Sequence, residues 1–238
     1  MCFVGTRKPQ LRVWGRRVLR GSLVVVPVLL VSGWFIVHQK PGWYRPPDLD
    51  DEGLQRARRE SANAADDFGD RLVLGGEFEV TLQESALNEW LAALPHVWPD
   101  AQHAFPPDVS DPAVHFSPAL AQVGAHLSRS GWETIVSADV RASLSSDGRE
   151  VIVEVVAVRA GSLPLPHFMV EPWLARFTAR MDKSGSSSRG GGAGAAAGRT
   201  SAQFRFRNRF VWPNGERSFR IQSIRVTESA LRLQIHPL

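Results

Sequence analysis

The chain has 238 residues, 43% of them hydrophobic, and a formal net charge of +4 from 28 basic and 24 acidic residues. This length is sufficient for one domain, or two small ones, with a hydrophobic core. The single cysteine excludes a disulfide framework and a cysteine-rich zinc module. The basic charge is concentrated at the start, because residues 1–40 hold seven basic residues and no acidic one.

Residues 21–37 carry no charge and are mainly leucine, valine, isoleucine and phenylalanine. Seventeen residues extend roughly 25 Å as a helix, so the pattern predicts a transmembrane anchor over residues 21–38. A buried core helix and a cleaved signal peptide are the alternatives. An uncleaved anchor is favoured because the apolar run continues past the small residues Ser32 and Gly33.

The flanking charges predict the orientation of this anchor. Six Lys or Arg residues precede the span and only Lys40 follows it closely. The positive-inside rule therefore leaves residues 1–20 as a basic head in the cytoplasm. The predicted location is the cytoplasmic (inner) membrane, with residues 41–238 extracytoplasmic.

The exported part begins with a proline-containing stalk over residues 39–49, and residues 50–238 form its domain. Leu54, Ala57, Ala62, Ala65 and Phe68 give a modest helical stripe between residues 50 and 70. Phe78, Val80 and Leu82 then alternate with polar residues, which is the period of a half-buried strand.

A capping-box pattern from Thr81 to Glu84 precedes a predicted helix over residues 83–94, which Pro95 ends. Leu87, Trp90 and Leu91 lie on one face of this helix. The face is either part of the core or one wall of a groove for a partner.

The rest of the chain predicts a hairpin, a second helix and three closing strands. Residues 136–144 and 151–158 alternate in hydrophobicity around the turn signal Ser146–Asp147–Gly148. Residues 168–181 predict a helix with Trp173 and Phe177 on one side. Residues 184–198, rich in glycine, serine and alanine, predict a flexible loop. Strands are expected at 204–210, 219–226 and 231–235.

Motifs for chemistry are absent from the sequence. The histidines are scattered without metal-ligand spacing, and the glycine tract lacks the spacing of a phosphate loop. We therefore predict no metal, no cofactor and no catalytic residue. Arg205, Arg207 and Arg209 give a candidate basic face for anionic lipids or cell-wall polyanions; neutralisation by acidic residues of the same chain is the other interpretation. Nucleic acid is not an expected partner of an exported domain.

The segments "FEVTLQESALNEWL", "AGSLPLP" and "FRIQSIRVTESALRLQIHPL" resemble YpmS-like membrane-anchored bacterial proteins of unassigned function. The order of elements is also similar to that of tubular lipid-binding and lipoprotein-carrier folds. The resemblance implies a curved sheet that wraps an apolar ligand around a helix.

The expected fold class is therefore α+β: an N-terminal transmembrane helix followed by a curved antiparallel sheet that packs against two or three helices. The expected function is non-enzymatic: a single-pass, membrane-anchored protein that binds an apolar or lipid-like ligand beside the membrane. Candidate groove residues are Leu87, Trp90, Leu91, Trp173 and Phe177. The alternatives are an assembly module with an envelope protein partner, and an unrecognised envelope hydrolase.

Overall fold

The structure, a computed structural model, describes residues 32–97, 106–129, 131–166, 202–213, 215 and 217–238. Three helices occur in this part of the chain: α1 (residues 32–38), α2 (Asp51–Leu74) and α3 (Glu84–Val97). The strands are β1 (Phe78–Gln83), β2 (Val109–Ser117), β3 (Leu120–Arg129), β4 (Trp132–Leu144), β5 (Glu150–Ala160), β6 (Leu163–Pro164), β7 (Ala202–Arg207), β8 (Phe210–Val211), β9 (Ser218–Val226) and β10 (Ala230–Pro237).

These strands form two antiparallel sheets. The four-stranded sheet has the order β1-β10-β9-β8. The six-stranded sheet has the order β2-β3-β4-β5-β6. On the edge of β5 that faces away from β4, β6 pairs with the end of β5 and β7 pairs with its first half. The predicted hairpin is confirmed as β4–β5, with Gly148 in its turn at a φ of 67°. That positive φ explains why glycine is suited to this position.

Asn208 marks the point where the chain passes from one sheet to the other. It follows β7 and precedes β8 by two residues, and it is only 5% exposed. Its side-chain amide donates to the carbonyl oxygens of Gly148 (2.8 Å) and Ile221 (2.7 Å) and accepts from the Ile221 N–H (2.8 Å). The prediction of one strand over 204–210 is therefore wrong, because this buried amide holds a corner there.

Helix α2 begins and ends with standard capping groups. The Asp50 carboxylate accepts from the Gly53 N–H at 2.8 Å, and Gly75 adopts a left-handed conformation after the last turn. Asp51 and Glu52 add negative charge to the first turn, where it interacts favourably with the positive end of the helix dipole and stabilises the helix.

Helix α3 confirms the predicted helix but differs from it at both ends. The strand β1 runs directly into it at Glu84, whose carboxylate contacts β2 and does not complete the predicted capping box. Pro95 lies inside the helix, which continues to Val97. A proline so near the end removes only one intrahelical hydrogen bond.

Residues 34–44 contact the six-stranded sheet. The Tyr44 hydroxyl donates to the Asp111 carbonyl at 2.6 Å, and the buried Tyr44 forms a small core with Ala113 and Ile135. The neighbouring Trp43 packs on this core. Burial, together with the charge of Asp111, raises the pKa of Tyr44 to about 12.

The carbonyl groups at the end of α1 are satisfied by the same sheet. Thr134 Oγ1 donates to the Val37 carbonyl at 2.6 Å, and the Ser162 N–H donates to the Ile36 carbonyl at 3.0 Å. Gly161 allows this approach, because a Cβ there would lie 2.2 Å from the Val37 oxygen. The helix end is thus fixed to β4 and to the β5–β6 turn.

The predicted fold class, with a transmembrane helix followed by one curved sheet, is wrong. Strands make up 47% and helices 28% of the described residues, and the strands divide between two sheets. Among the described residues, no helix is long and apolar enough to cross a membrane. Alternation of hydrophobicity specifies which side chains share a face but not which strands pair, so the division was not visible in the sequence.

Several predicted segments lie wholly or partly outside the described residues. They are the basic head 1–20, most of the predicted span 21–38, the helix 168–181 and the loop 184–198.

Candidate functional site

The structure describes three of the five residues that the sequence predicts to line a groove. Leu87, Trp90 and Leu91 lie half-buried on α3, which packs mainly against β2 and α2. Trp173 and Phe177 lie outside the described residues. The described residues do form an apolar groove, but it lies between α2 and the four-stranded sheet.

Phe68 attaches α2 to the four-stranded sheet. Its ring centroid lies 5.4 Å from that of Phe78, 4.8 Å from that of Trp212 and 5.2 Å from that of Phe219. Such edge and tilted contacts add stabilisation to the burial of the rings themselves. Leu72, one turn further along the helix, is 1% exposed. The last turns of α2 are therefore in close contact with the rest of the molecule.

The groove opens one turn before Phe68. There α2 presents Ala64 and Ala65, whose short side chains leave about 440 Å³ between the helix and the sheet. All eleven lining residues are hydrophobic. The volume falls within the range of roughly 300–1,000 Å³ that is typical of small-molecule sites.

Strand register explains why the floor of the groove is uniformly apolar. Val80 on β1 lies opposite Leu233 on β10, and Ile235 lies opposite Ile221 on β9. All four line the groove, because side chains of residues in register point to the same side of a sheet. The intervening residue Glu79 is exposed on the other face.

The groove is only partly shielded from solvent. Ile235, in its floor, is 1% exposed, whereas Leu82 at the end of β1 is 37% exposed. The groove is thus closed at its base and open toward the end of β1.

Helix α3 contacts the outer edge of β2 through two side chains. The Asn88 amide donates to the Val114 carbonyl at 2.8 Å and accepts from the Val114 N–H at 2.7 Å. The Glu84 carboxylate accepts from the Phe116 N–H at 2.7 Å and lies 3.1 Å from His115 Nδ1. Because these residues are four apart, both point from one face of the helix. The edge of β2 is covered and α3 is positioned by polar contacts.

An ion pair between a buried carboxylate and a partly exposed arginine lies at the centre of the six-stranded sheet. Asp139, only 5% exposed, lies 2.7 Å from Arg159 and accepts a hydrogen bond from Gln122 at 3.0 Å. Burial alone would raise the pKa of Asp139, but the hydrogen bonds from Arg159 and Gln122 and the charge of Arg159 lower it. The carboxylate is satisfied by its neighbours, which indicates a structural role.

The candidate basic face is divided by the corner at Asn208. Arg205 and Arg207 share one side of β7, and Arg209 follows Asn208. Arg205 lies 3.3 Å from Glu150 on β5, and Arg207 is opposite Glu150 in register. The arginines of β7 therefore lie beside a carboxylate of the same sheet.

No group of three His, Cys, Asp or Glu side chains in the described part of the chain could hold a metal ion. His115 and His236 instead each contact one glutamate, Glu84 and Glu77 respectively.

Sequence reasoning placed most groove residues on the correct elements but did not bring the elements together. The signal that could have identified the site was the stripe on α2, which has alanines where a packed helix normally has larger residues. The strand faces that contain Val80, Ile221 and Leu233 had been expected to be apolar. What was missing was their pairing with α2.

Comparison of the chain with family models, curated proteins and solved structures finds no match. The resemblance to YpmS-like proteins stays a prediction.

Proposed function

We propose that this protein is a non-enzymatic binding protein that holds an elongated apolar molecule, such as an acyl chain, in the groove between α2 and the four-stranded sheet. The observation that carries the proposal is an open space of about 440 Å³ with an entirely hydrophobic lining. A water-filled groove of this kind leaves apolar surface in contact with solvent, and an alkyl chain would remove that contact.

The chemistry of the lining determines the class of ligand. Hydrophobic side chains offer no partner for a charged or strongly polar group, whose desolvation would be uncompensated. Each methylene transferred from water into the groove gains about 0.8 kcal/mol. Since about 1.4 kcal/mol changes a dissociation constant tenfold, two added methylenes should tighten binding by about tenfold.

A homologous series of saturated fatty acids and the matching alcohols tests the proposal. Binding to the full chain would be measured by titration calorimetry at ligand concentrations below micelle formation. We expect the Kd to fall by about tenfold for each two methylenes and then to level off when the groove is full. A negative heat-capacity change should accompany binding. Absence of binding throughout the series, or a Kd that is independent of chain length, would refute the proposal.

Two variants on adjacent residues of β10 locate the binding site. Leu233→Lys places an ammonium group on the floor of the groove, whereas Gln234→Lys places it on the opposite face of the same strand. The first should raise the Kd by more than about tenfold, because a desolvated charge costs several kcal/mol. The second should leave the Kd unchanged.

A second pair on α2 controls for misfolding of the β10 variant. Ala64→Phe places a ring at the mouth of the groove. Asn63→Phe places the same ring on the exposed side of the helix, about 160° around it from Ala65, given about 100° per residue. Only the first should shorten the chain length at which the Kd levels off. Equal effects of both substitutions would place the ligand elsewhere.

A further inference from the structure

A cluster of exposed aromatic side chains lies where α1 meets the β3–β4 hairpin. Trp34 stacks on His38 with a centroid distance of 4.1 Å, and Trp132 meets Trp34 edge-on at 5.5 Å. Phe35 adjoins Trp34 on α1. We define Trp34, Phe35 and Trp132 as the aromatic patch.

The two tryptophan rings of the patch pack against neighbouring rings although they are exposed. Trp34, Phe35 and Trp132 are 52%, 71% and 50% exposed. The contacts of Thr134 and Ser162 with the last carbonyls of α1 fix this helix to the sheet that carries Trp132. Trp34 and Trp132 are therefore preorganised: a partner would gain apolar contact without ordering these two side chains.

The concentration of aromatic rings distinguishes this surface. Of the large exposed aromatic residues in the described part of the chain, only Phe206 lies outside the patch. Clustered exposed aromatic residues mark interaction sites, whereas single exposed hydrophobic residues are ordinary. Beside the patch lies a depression of about 340 Å³, bounded by Leu127, Arg129 and Thr134 together with Trp132.

Two observations indicate which partner covers the patch. The chain that enters α1, residues 21–31, carries no charge, and eight of its eleven residues are leucine or valine. This uncharged sequence continues through Trp34 and Phe35 to Val37, so a partner of the patch must also suit an apolar chain. In addition, tryptophan favours the boundary between lipid headgroups and acyl chains, where its ring is apolar and its N–H is hydrated.

We infer that the aromatic patch docks on the surface of a phospholipid bilayer, with the rings of Trp34, Phe35 and Trp132 at the level of the headgroups. This surface is distinct from the α2 groove, and its docking does not depend on ligand binding there.

A spin label on the β3–β4 hairpin tests this inference in the full chain, because it reports only on the surface beside the patch. After Cys2→Ser removes the native thiol, Arg129→Cys carries a nitroxide at the end of β3, beside the patch. Asp147→Cys carries the same label in the β4–β5 turn, at the opposite end of β4. Thirteen residues of strand separate the two ends by about 40 Å.

With vesicles of phosphatidylcholine and phosphatidylglycerol, we expect the label at position 129 to lose accessibility to a water-soluble nickel chelate and to gain accessibility to oxygen. The label at position 147 should show neither change. Trp34→Ser combined with Trp132→Ser should abolish the change at position 129, with circular dichroism confirming that the fold is retained.

Equal accessibility of positions 129 and 147 in the presence of vesicles would overturn the inference. So would protection of position 129 in the absence of lipid, which would indicate that a second copy of the chain covers the patch. Because this readout requires no ligand in the α2 groove, its failure is separate from failure of the proposed function.

Discussion

Replacement of Asn208 tests whether one side chain holds the two sheets together. The Asn208→Ala substitution removes three hydrogen bonds, two to Ile221 and one to Gly148. A typical intramolecular hydrogen bond contributes about 1 kcal/mol, so the free energy of unfolding should fall by about 3 kcal/mol. That loss is a large part of the ~5–15 kcal/mol by which most domains are stable.

The Asn208→Asp substitution refines this expectation, because it preserves shape but replaces the NH₂ donor with an oxygen. At neutral pH the new carboxylate would face the carbonyl oxygens of Gly148 and Ile221, and the destabilisation should exceed that of the alanine variant. Protonation restores one donor. The deficit relative to the natural protein should therefore shrink as the pH falls.

Urea unfolding, followed by circular dichroism over a range of pH, measures both effects. Asn63→Ala is the matched control, since Asn63 is an exposed residue of α2. It should change the free energy of unfolding by about 0.5 kcal/mol or less. If Asn208→Ala behaves like this control, Asn208 does not stabilise the junction between the sheets.

Two further predictions concern residues 32–50. Gly161→Ala should destabilise the protein by more than Gly131→Ala, because both glycines have a positive φ but only Gly161 would direct a Cβ at the Val37 carbonyl. Thermal unfolding should show a strain cost of about 1 kcal/mol for Gly131→Ala and a larger loss of stability for Gly161→Ala. Equal losses would contradict the close approach of Gly161 to Val37. Tyr44 is the only tyrosine of the chain, so an ultraviolet titration should show one transition near pH 12 in the folded protein and near pH 10 in urea. Since the folded state retains this proton longer, stability should fall as the pH rises above about 10, and a transition near 10 in the folded state would show that Tyr44 is not buried as described.

Local patterns in the sequence were sufficient to identify several elements. The β4–β5 hairpin followed from alternation around Asp147 and Gly148, and α3 from the spacing of Leu87, Trp90 and Leu91. These signals are local, and they depend only on which side chains share a face.

Contacts between distant residues could not be predicted in this way. In the sequence, Asn208 is one polar residue among several in an alternating segment. Only in the structure is its amide seen to be buried and hydrogen-bonded, where the chain turns from one sheet to the other. Glu84 fitted a capping box by spacing, but its carboxylate contacts His115 and the Phe116 N–H of β2 instead. In both cases a partner far along the chain determined the outcome.

The cover that α3 places over β2 also bears on how the protein avoids self-association. An uncovered edge strand presents free N–H and C=O groups to any other extended chain, which can add to the sheet and begin a fibril. Asn88 occupies both groups of Val114, and Glu84 occupies the N–H of Phe116. Two polar side chains on one helix therefore act as gatekeepers against intermolecular strand addition.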